Sequence, residues 1–258
     1  MSKKLAAGSD VIVLDVKTGS GAFMKSYEDS LALAKEMVQI GTIAGKKTYA
    51  VITDMNQPLG YAVGNTLEVI EAIDTLNGKG PEDLLEVSLA LASLMLVGAG
   101  AAPDTCSAKQ MLLKTIEDKR ALNKFAEFIA AQGGDSSYVY NTDKFDKASL
   151  TYDITAESDG YVSSIRTDEV GMASLLLGGG RETKDSIIDL TVGIIIRKKL
   201  GDRVKAGDIL ARLYANDQNR LVQASERLRK AFTIQTRQPN KQKHVYAIVT
   251  SNGVEELN

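Results

Sequence analysis

The sequence of 258 residues contains no tryptophan, one cysteine and one histidine. The single cysteine, Cys106, excludes an internal disulfide and is typical of a protein from a reducing compartment. The single histidine, His244, has no second histidine and no cysteine pair with which to form a zinc site of the usual kind. These shortages exclude a disulfide-stabilised domain and a structural zinc centre, and they predict a cytoplasmic protein.

The chain also lacks a long apolar run and an excess of one charge. No stretch of the sequence reaches the roughly 20 apolar residues that span a bilayer, and the first residues lack the apolar core of a signal peptide. Lys and Arg number 31 against 33 Asp and Glu, for a net charge of −2. This balance favours neither nucleic acid nor an anionic membrane as a partner.

Residues 1–150 show the pattern of an α/β domain with a mostly parallel sheet and flanking helices. The apolar run Val11–Val16 predicts a strand that is buried on both faces, and Thr48–Thr53 predicts a second one. Ser26 has the capping chemistry of a helix start. The predicted helices are Tyr27–Ile40, Thr66–Leu76, Glu82–Val97, Lys109–Glu117 and Asn123–Gln132.

Residues 151–258 predict a smaller α+β module of the barrel or sandwich kind. Strands here are short and closely spaced, with glycines between them. The polar stretch Asp135–Leu150 marks the boundary. The predicted strands are Tyr152–Ala156, Tyr161–Ile165, Asp189–Ile196, Ile209–Leu213 and Val245–Thr250, and the predicted helices are Glu169–Leu177 and Gln218–Phe232.

The small-residue loop Thr18–Ala22 follows the first strand and is the first candidate site. Ligands of open α/β sheets bind at the carboxyl ends of the strands, and small residues let backbone N–H groups approach a ligand. A dinucleotide fingerprint would need a third glycine where this chain has Met24. The alternative is a loop that only turns the chain.

Two other patterns are weaker on their own. Leu200–Leu210 resembles the turn of biotin- and lipoate-carrier domains, but the Met-Lys pair of such carriers occurs only at Met24-Lys25, so a structural role is favoured. Glu71 follows the loop Gln57–Ala62, whose carbonyls could join its carboxylate around a monovalent cation, because hard cations prefer oxygen ligands. A helical glutamate is more often simply solvated.

Three separated blocks of sequence carry a much more specific signal. They are MSKKLAAGSDVIVLDVKTGSGAFMK, TDMNQPLGYAVGNTLEVIEAIDTLNGKGPEDL, and SDGYVSSIRTDEVGMASLLLGGGR followed by DLTVGI. In these blocks the chain closely resembles the bacterial pyrimidine-nucleoside phosphorylases, with the thymidine phosphorylases of the same family as near neighbours. The resemblance extends from Ser2 to about Ile234.

This resemblance implies a pentosyltransferase that converts a pyrimidine nucleoside and phosphate, its co-substrate, into free base and pentose 1-phosphate. It also implies a homodimer whose α/β domain is joined by hinges to a small helical domain. Lys3 matches the lysine that faces the pyrimidine, and Phe23 matches an apolar position against the base. Leu59 and Ala62, through their carbonyls, and Glu71, through its carboxylate, match the potassium site.

The motifs by which this family holds phosphate, and part of its potassium shell, have no counterpart in the sequence. We therefore expect a C-terminal portion with little activity alone and with altered self-association. The alternative is a non-catalytic module that binds a base or serves in assembly. The anthranilate phosphoribosyltransferases share the fold family, but their acidic magnesium motif is not found here. Preference for uridine or thymidine is not indicated.

Overall fold

The computed structural model describes residues 1–240 and 242–257. The helices are α1 (Ser2–Ala6), α2 (Tyr27–Ile43), α3 (Thr66–Leu76), α4 (Glu82–Gly98), α5 (Thr105–Glu117), α6 (Arg120–Ala131), α7 (Ser137–Tyr140), α8 (Thr167–Ser174) and α9 (Gln218–Arg229). The strands are β1 (Val11–Thr18), β2 (Lys47–Asp54), β3 (Ala62–Gly64), β4 (Leu150–Thr155), β5 (Gly160–Ile165), β6 (Gly193–Ile196), β7 (Arg203–Val204), β8 (Ile209–Ala215), β9 (Phe232–Gln235), β10 (Val245–Thr250) and β11 (Gly253–Glu256).

The described residues fall into two compact units, and each is assembled from separate segments of the chain. The first unit contains Met1–Met55, Glu82–Asp118 and Lys243–Asn258, and the second contains Asn56–Pro81 and Lys119–Gln242. Strands β10 and β11, from the end of the chain, therefore belong with its beginning. The division into family domains at residue 150 stays a prediction.

The first unit is built on the sheet β1-β2-β10-β11. Strands β1 and β2 are parallel, as the strand–helix–strand order predicts, whereas β10 runs antiparallel to both β2 and β11. Helix α2 packs on one face of this sheet. Their shared core consists of apolar side chains from β1, β2, β10 and the helix: Ile12, Leu14, Val16, Ala34, Val38, Ala50, Ile52, Ala247 and Val249.

Strand β1 differs from expectation in its burial. Ile12, Leu14 and Val16 are buried, but their neighbours are only half-buried and Asp15 is exposed. The prediction of burial on both faces is wrong for β1, because the face that carries Asp15 and Lys17 is only partly covered. It is correct for β2, which is continuously buried from Ala50 to Asp54.

The second unit contains two sheets, β3-β6-β8-β4 and β7-β5-β9, whose neighbouring strands are all antiparallel. Helices α8 and α9 pack against each other and contribute to the same core. The largest fully buried side chains of that core come from strands of both sheets and from α9: Ile154, Ile165, Ile194, Ile196, Leu213 and Leu228. The glycine-punctuated sequence thus forms short antiparallel strands with packed helices, together with β3 from the segment Asn56–Pro81.

Local chemistry explains the element ends that differ from expectation. Helix α5 begins at Thr105, four residues before the predicted start, because the Asp104 carboxylate accepts a hydrogen bond from the Ser107 N–H at 2.7 Å. The predicted strand Asp189–Ile196 is shortened to Gly193–Ile196, since the Asp189 carboxylate accepts bonds from the N–H and hydroxyl of Thr191. Ser26 caps α2 as predicted.

The α/β fold class is confirmed, with parallel pairing among the described strands confined to β1 and β2. Over the described range of the chain, no helix has the length and apolar character needed to cross a membrane.

Candidate functional site

The loop after β1 uses its backbone N–H groups within the chain. The Gly19 N–H donates to the Met24 carbonyl at 3.2 Å, the Gly21 N–H to Met55 at 2.9 Å, and the Ala22 N–H to Gly19 at 3.0 Å. Gly19 has a φ of 120°, a backbone conformation that glycine adopts readily because it has no Cβ. With three donors engaged in this way, the loop turns the chain and connects it to the residue after β2.

The two residues predicted to face the base both lie in the first unit and are both open to solvent. Lys3 is exposed on the short helix α1. The Phe23 side chain is 94% exposed, directly after the loop. An apolar ring so fully exposed buries nothing within its own chain, so its side chain is available to a ligand or partner. The roles of Lys3 and Phe23 toward a base stay predictions.

A charged cluster at the carboxyl ends of β1 and β2 was missed by the sequence reasoning. Lys17 Nζ lies 2.7 Å from Asp15 Oδ2 and donates to the hydroxyl of Thr53 at 3.0 Å. Thr53 is fully buried and donates in turn to Asp15 Oδ1. The alternation of side chains along β1 could have indicated this cluster, because Asp15 and Lys17 lie on the face opposite the buried apolar residues of the strand. The network fixes this rim of the sheet.

The predicted cation ligands lie together in the second unit. Glu71, on α3, accepts hydrogen bonds at Oε1 from the N–H of Tyr61 at 2.8 Å and of Ala62 at 3.0 Å. Its other oxygen approaches the backbone at Gly60 so closely that a Cβ there would lie 2.2 Å from Glu71 Oε2. The carboxylate is therefore seated on the loop Gln57–Ala62 and is not simply solvated.

Lys199 meets the same loop and was also missed by the sequence reasoning. Its ammonium donates to the Gly60 carbonyl at 2.6 Å and to the Pro58 carbonyl, and it lies 5.6 Å from the centre of the Tyr61 ring. The next residue, Leu200, donates its N–H to the buried Gln57 side chain at 3.0 Å. The loop is held by a carboxylate at its N–H groups and by an ammonium at its carbonyls.

This donor set has the chemistry of a site for a hard monovalent cation. It offers one carboxylate on a loop with several backbone carbonyls, and the carboxylate can approach this loop only because residue 60 is glycine. Among residues 1–240 and 242–257, no group of three or more His, Cys, Asp or Glu side chains is placed to share a metal ion. The residue types are those that such a site would use, and the potassium site that the resemblance implies stays a prediction.

Comparison with known proteins gives matches along most of the chain. Residues 1–122 match the family model of the glycosyl transferase family a/b domain, and residues 161–235 match that of the pyrimidine nucleoside phosphorylase C-terminal domain. A pyrimidine-nucleoside phosphorylase of Geobacillus stearothermophilus is 55% identical over 216 residues, which are 84% of this chain and 50% of that protein.

Two further relatives have the same name and match a similar share of the chain. A pyrimidine-nucleoside phosphorylase of Bacillus subtilis is 54% identical over 219 residues, 85% of this chain and 51% of that protein. A pyrimidine-nucleoside phosphorylase of Staphylococcus epidermidis is 50% identical over 216 residues, which are 84% of this chain and 50% of that protein. The chain spans about half the length of the curated relatives it matches.

Proposed function

Since the chain belongs to the pyrimidine-nucleoside phosphorylase family, we propose that it supplies about half of an enzyme that splits pyrimidine nucleosides with phosphate. The bond between base and sugar breaks, phosphate adds to the anomeric carbon, and free base and pentose 1-phosphate are released. The observation that carries this proposal is the 55% identity over 84% of the chain, together with the two family models that match residues 1–122 and 161–235.

In this proposal Lys3 and Phe23 serve the departing base. As the glycosidic bond breaks, negative charge develops on the pyrimidine ring, and the Lys3 ammonium stabilises that charge more in the transition state than in the bound substrate. Phe23 presents a flat apolar face to the ring. The exposure of both side chains in the first unit supports their availability for this task.

A potassium ion in this proposal binds to the carbonyls of Leu59 and Ala62 and to the Glu71 carboxylate. Its chemistry is structural: a fixed positive charge that orders the oxygen-rich loop. The seating of Glu71 on the N–H groups of Tyr61 and Ala62 supports the assignment, because it places the carboxylate on that loop.

In this proposal, turnover requires the half of the enzyme that has no counterpart in this chain. The complete enzyme is a homodimer in the cytoplasm, as the resemblance to the family implies. The support is the length of the relatives, which are about twice as long as the matched region. This chain alone is expected to release no base from uridine or thymidine in the presence of phosphate.

The test is phosphorolysis of uridine and of thymidine, measured as free base, with this chain alone and after mixing with the unmatched half of the Geobacillus relative. We expect base release only from the mixture, and its loss with Lys3→Met but not with the neighbouring Lys4→Met. Robust release by the chain alone would disprove the dependence on a second half. Uracil binding without turnover in any mixture would favour the non-catalytic module.

A further inference from the structure

The Gly60–Tyr61 peptide is held at both ends by opposite charges. Its carbonyl accepts from Lys199 Nζ at 2.6 Å, and its N–H donates to Glu71 Oε1 at 2.8 Å. Hydrogen bonds to charged groups are stronger than neutral ones. A peptide plane held at both its dipole ends has little freedom to rotate, so this plane has a fixed orientation.

The neighbouring peptides carry the carbonyls that the cation needs. The Pro58–Leu59 peptide is also held, through the Pro58 carbonyl, by Lys199. The Leu59 carbonyl belongs to the Leu59–Gly60 peptide, which lies between the two held planes. Lys199 holds the planes on both sides of that carbonyl and so restricts the positions it can take.

Ala62, the other predicted carbonyl ligand, is held on the opposite side of the loop by Glu71 and by strand pairing. The Ala62 N–H donates to Glu71 Oε1 at 3.0 Å, and Ala62 pairs with Ile195 at the start of β3. Lys199 itself is fixed in the turn before β7, because its N–H donates to Asp202 Oδ2 at 2.8 Å and the following N–H donates to the Gln57 side chain.

From these contacts we propose that Lys199 is a positioning residue for the cation site: its ammonium sets the peptide planes that aim the Leu59 carbonyl at a monovalent cation. The inference rests on the proposed potassium site. Lys199 touches carbonyls of Pro58 and Gly60, which are not the predicted ligands, and so it acts through the backbone.

The test compares Lys199→Met with Lys199→Arg and with Lys198→Met. Lys198 is one residue away and bonds instead to the Arg203 carbonyl at 3.5 Å, with Asp208 at 3.8 Å. Each protein is titrated with potassium chloride at constant ionic strength against choline chloride, and the melting temperature is followed. Hydrogen exchange at the Tyr61 and Ala62 amides is measured in the same solutions.

We expect Lys199→Met to move the potassium midpoint about tenfold higher, as is usual when a residue behind a metal ligand is removed. The same variant should exchange faster at Tyr61 and Ala62. Lys199→Arg should recover most of both effects, and Lys198→Met should match the unaltered chain.

Equal potassium midpoints in Lys199→Met and the unaltered chain would overturn the role of Lys199 while leaving the cation site in place. An unaltered chain that responds equally to potassium and choline would overturn the cation site itself, and with it this role. The two failures are therefore distinguishable. Faster exchange without a shifted midpoint would reduce Lys199 to a structural contact and overturn the proposal.

Discussion

Residue 60 has to be glycine for two separate reasons. Its φ of 70° lies in the left-handed region, and a Cβ would lie 2.2 Å from Glu71 Oε2. Gly207 in the same unit shares only the first condition, with a φ of 92° and nothing within 4 Å of a Cβ. Comparing substitutions at Gly60 and Gly207 therefore distinguishes the cost of backbone strain from the cost of crowding the Glu71 carboxylate.

We predict that Gly60→Ala lowers the free energy of unfolding by about 2–3 kcal/mol, because strain and the displaced carboxylate act together. Gly207→Ala should cost about 1 kcal/mol, the backbone cost alone. Urea unfolding of both variants measures the difference. Equal losses would show that Glu71 moves away from the loop without cost.

Among the candidate site residues, the sequence could indicate Glu71 but not Lys199. Glu71 lies ten positions from Tyr61, and a loop followed by a helix brings such neighbours together. Lys199 lies 139 positions from Gly60, and nothing local in a lysine-rich turn specifies its partner. Lys3 came only from resemblance, since an exposed lysine carries no local signal of chemistry, whereas Phe23 directly follows the small-residue loop that the sequence itself marks as a candidate site.

At the scale of elements, local patterns specified strands and helices but not their partners. Helix α3 was predicted with its observed bounds, Thr66–Leu76, and β10 with its observed bounds, Val245–Thr250. The position of β10 beside β2 could not be predicted, because pairing between strands far apart in sequence depends on the whole core. The same reason explains why β1 is less buried than its apolar run suggested.

The insertion of β10 gives a prediction for the first unit. Ala247 is fully buried and pairs with Ile52 of β2, whereas Val254 on the outer strand β11 is 37% exposed. Ala247→Asp places an uncompensated charge in the core and should cost about 3 kcal/mol or more. Val254→Asp should cost well under about 1 kcal/mol.

Urea unfolding and hydrogen exchange at Ala50, Val51 and Ile52 measure the effect of these two substitutions. These β2 residues face β10 in the ladder, so Ala247→Asp should speed their exchange while Val254→Asp leaves it nearly unchanged. If both substitutions had the same effect, β10 would not be an integral strand of this sheet.

At the scale of the whole molecule, the surface of the first unit carries an apolar groove beside α2. The groove has a volume of about 320 Å³, and its apolar lining includes Val38, Ile43, Val249 and Val254. Ile43, at the end of α2, is 79% exposed. Contiguous exposed apolar surface of this kind promotes association between protein molecules, and the altered self-association expected from the sequence stays a prediction.

We predict that the chain in solution has a mass by light scattering above the 27.7 kDa of one chain. Ile43→Lys should lower that mass, because it replaces exposed apolar area beside the groove with a solvated charge. Gln39→Lys adds the same charge one turn earlier on α2 without removing apolar surface, and should leave the mass unchanged. A monodisperse monomer before any substitution would show that this groove does not drive association, and an equal effect of both lysines would assign association to charge instead.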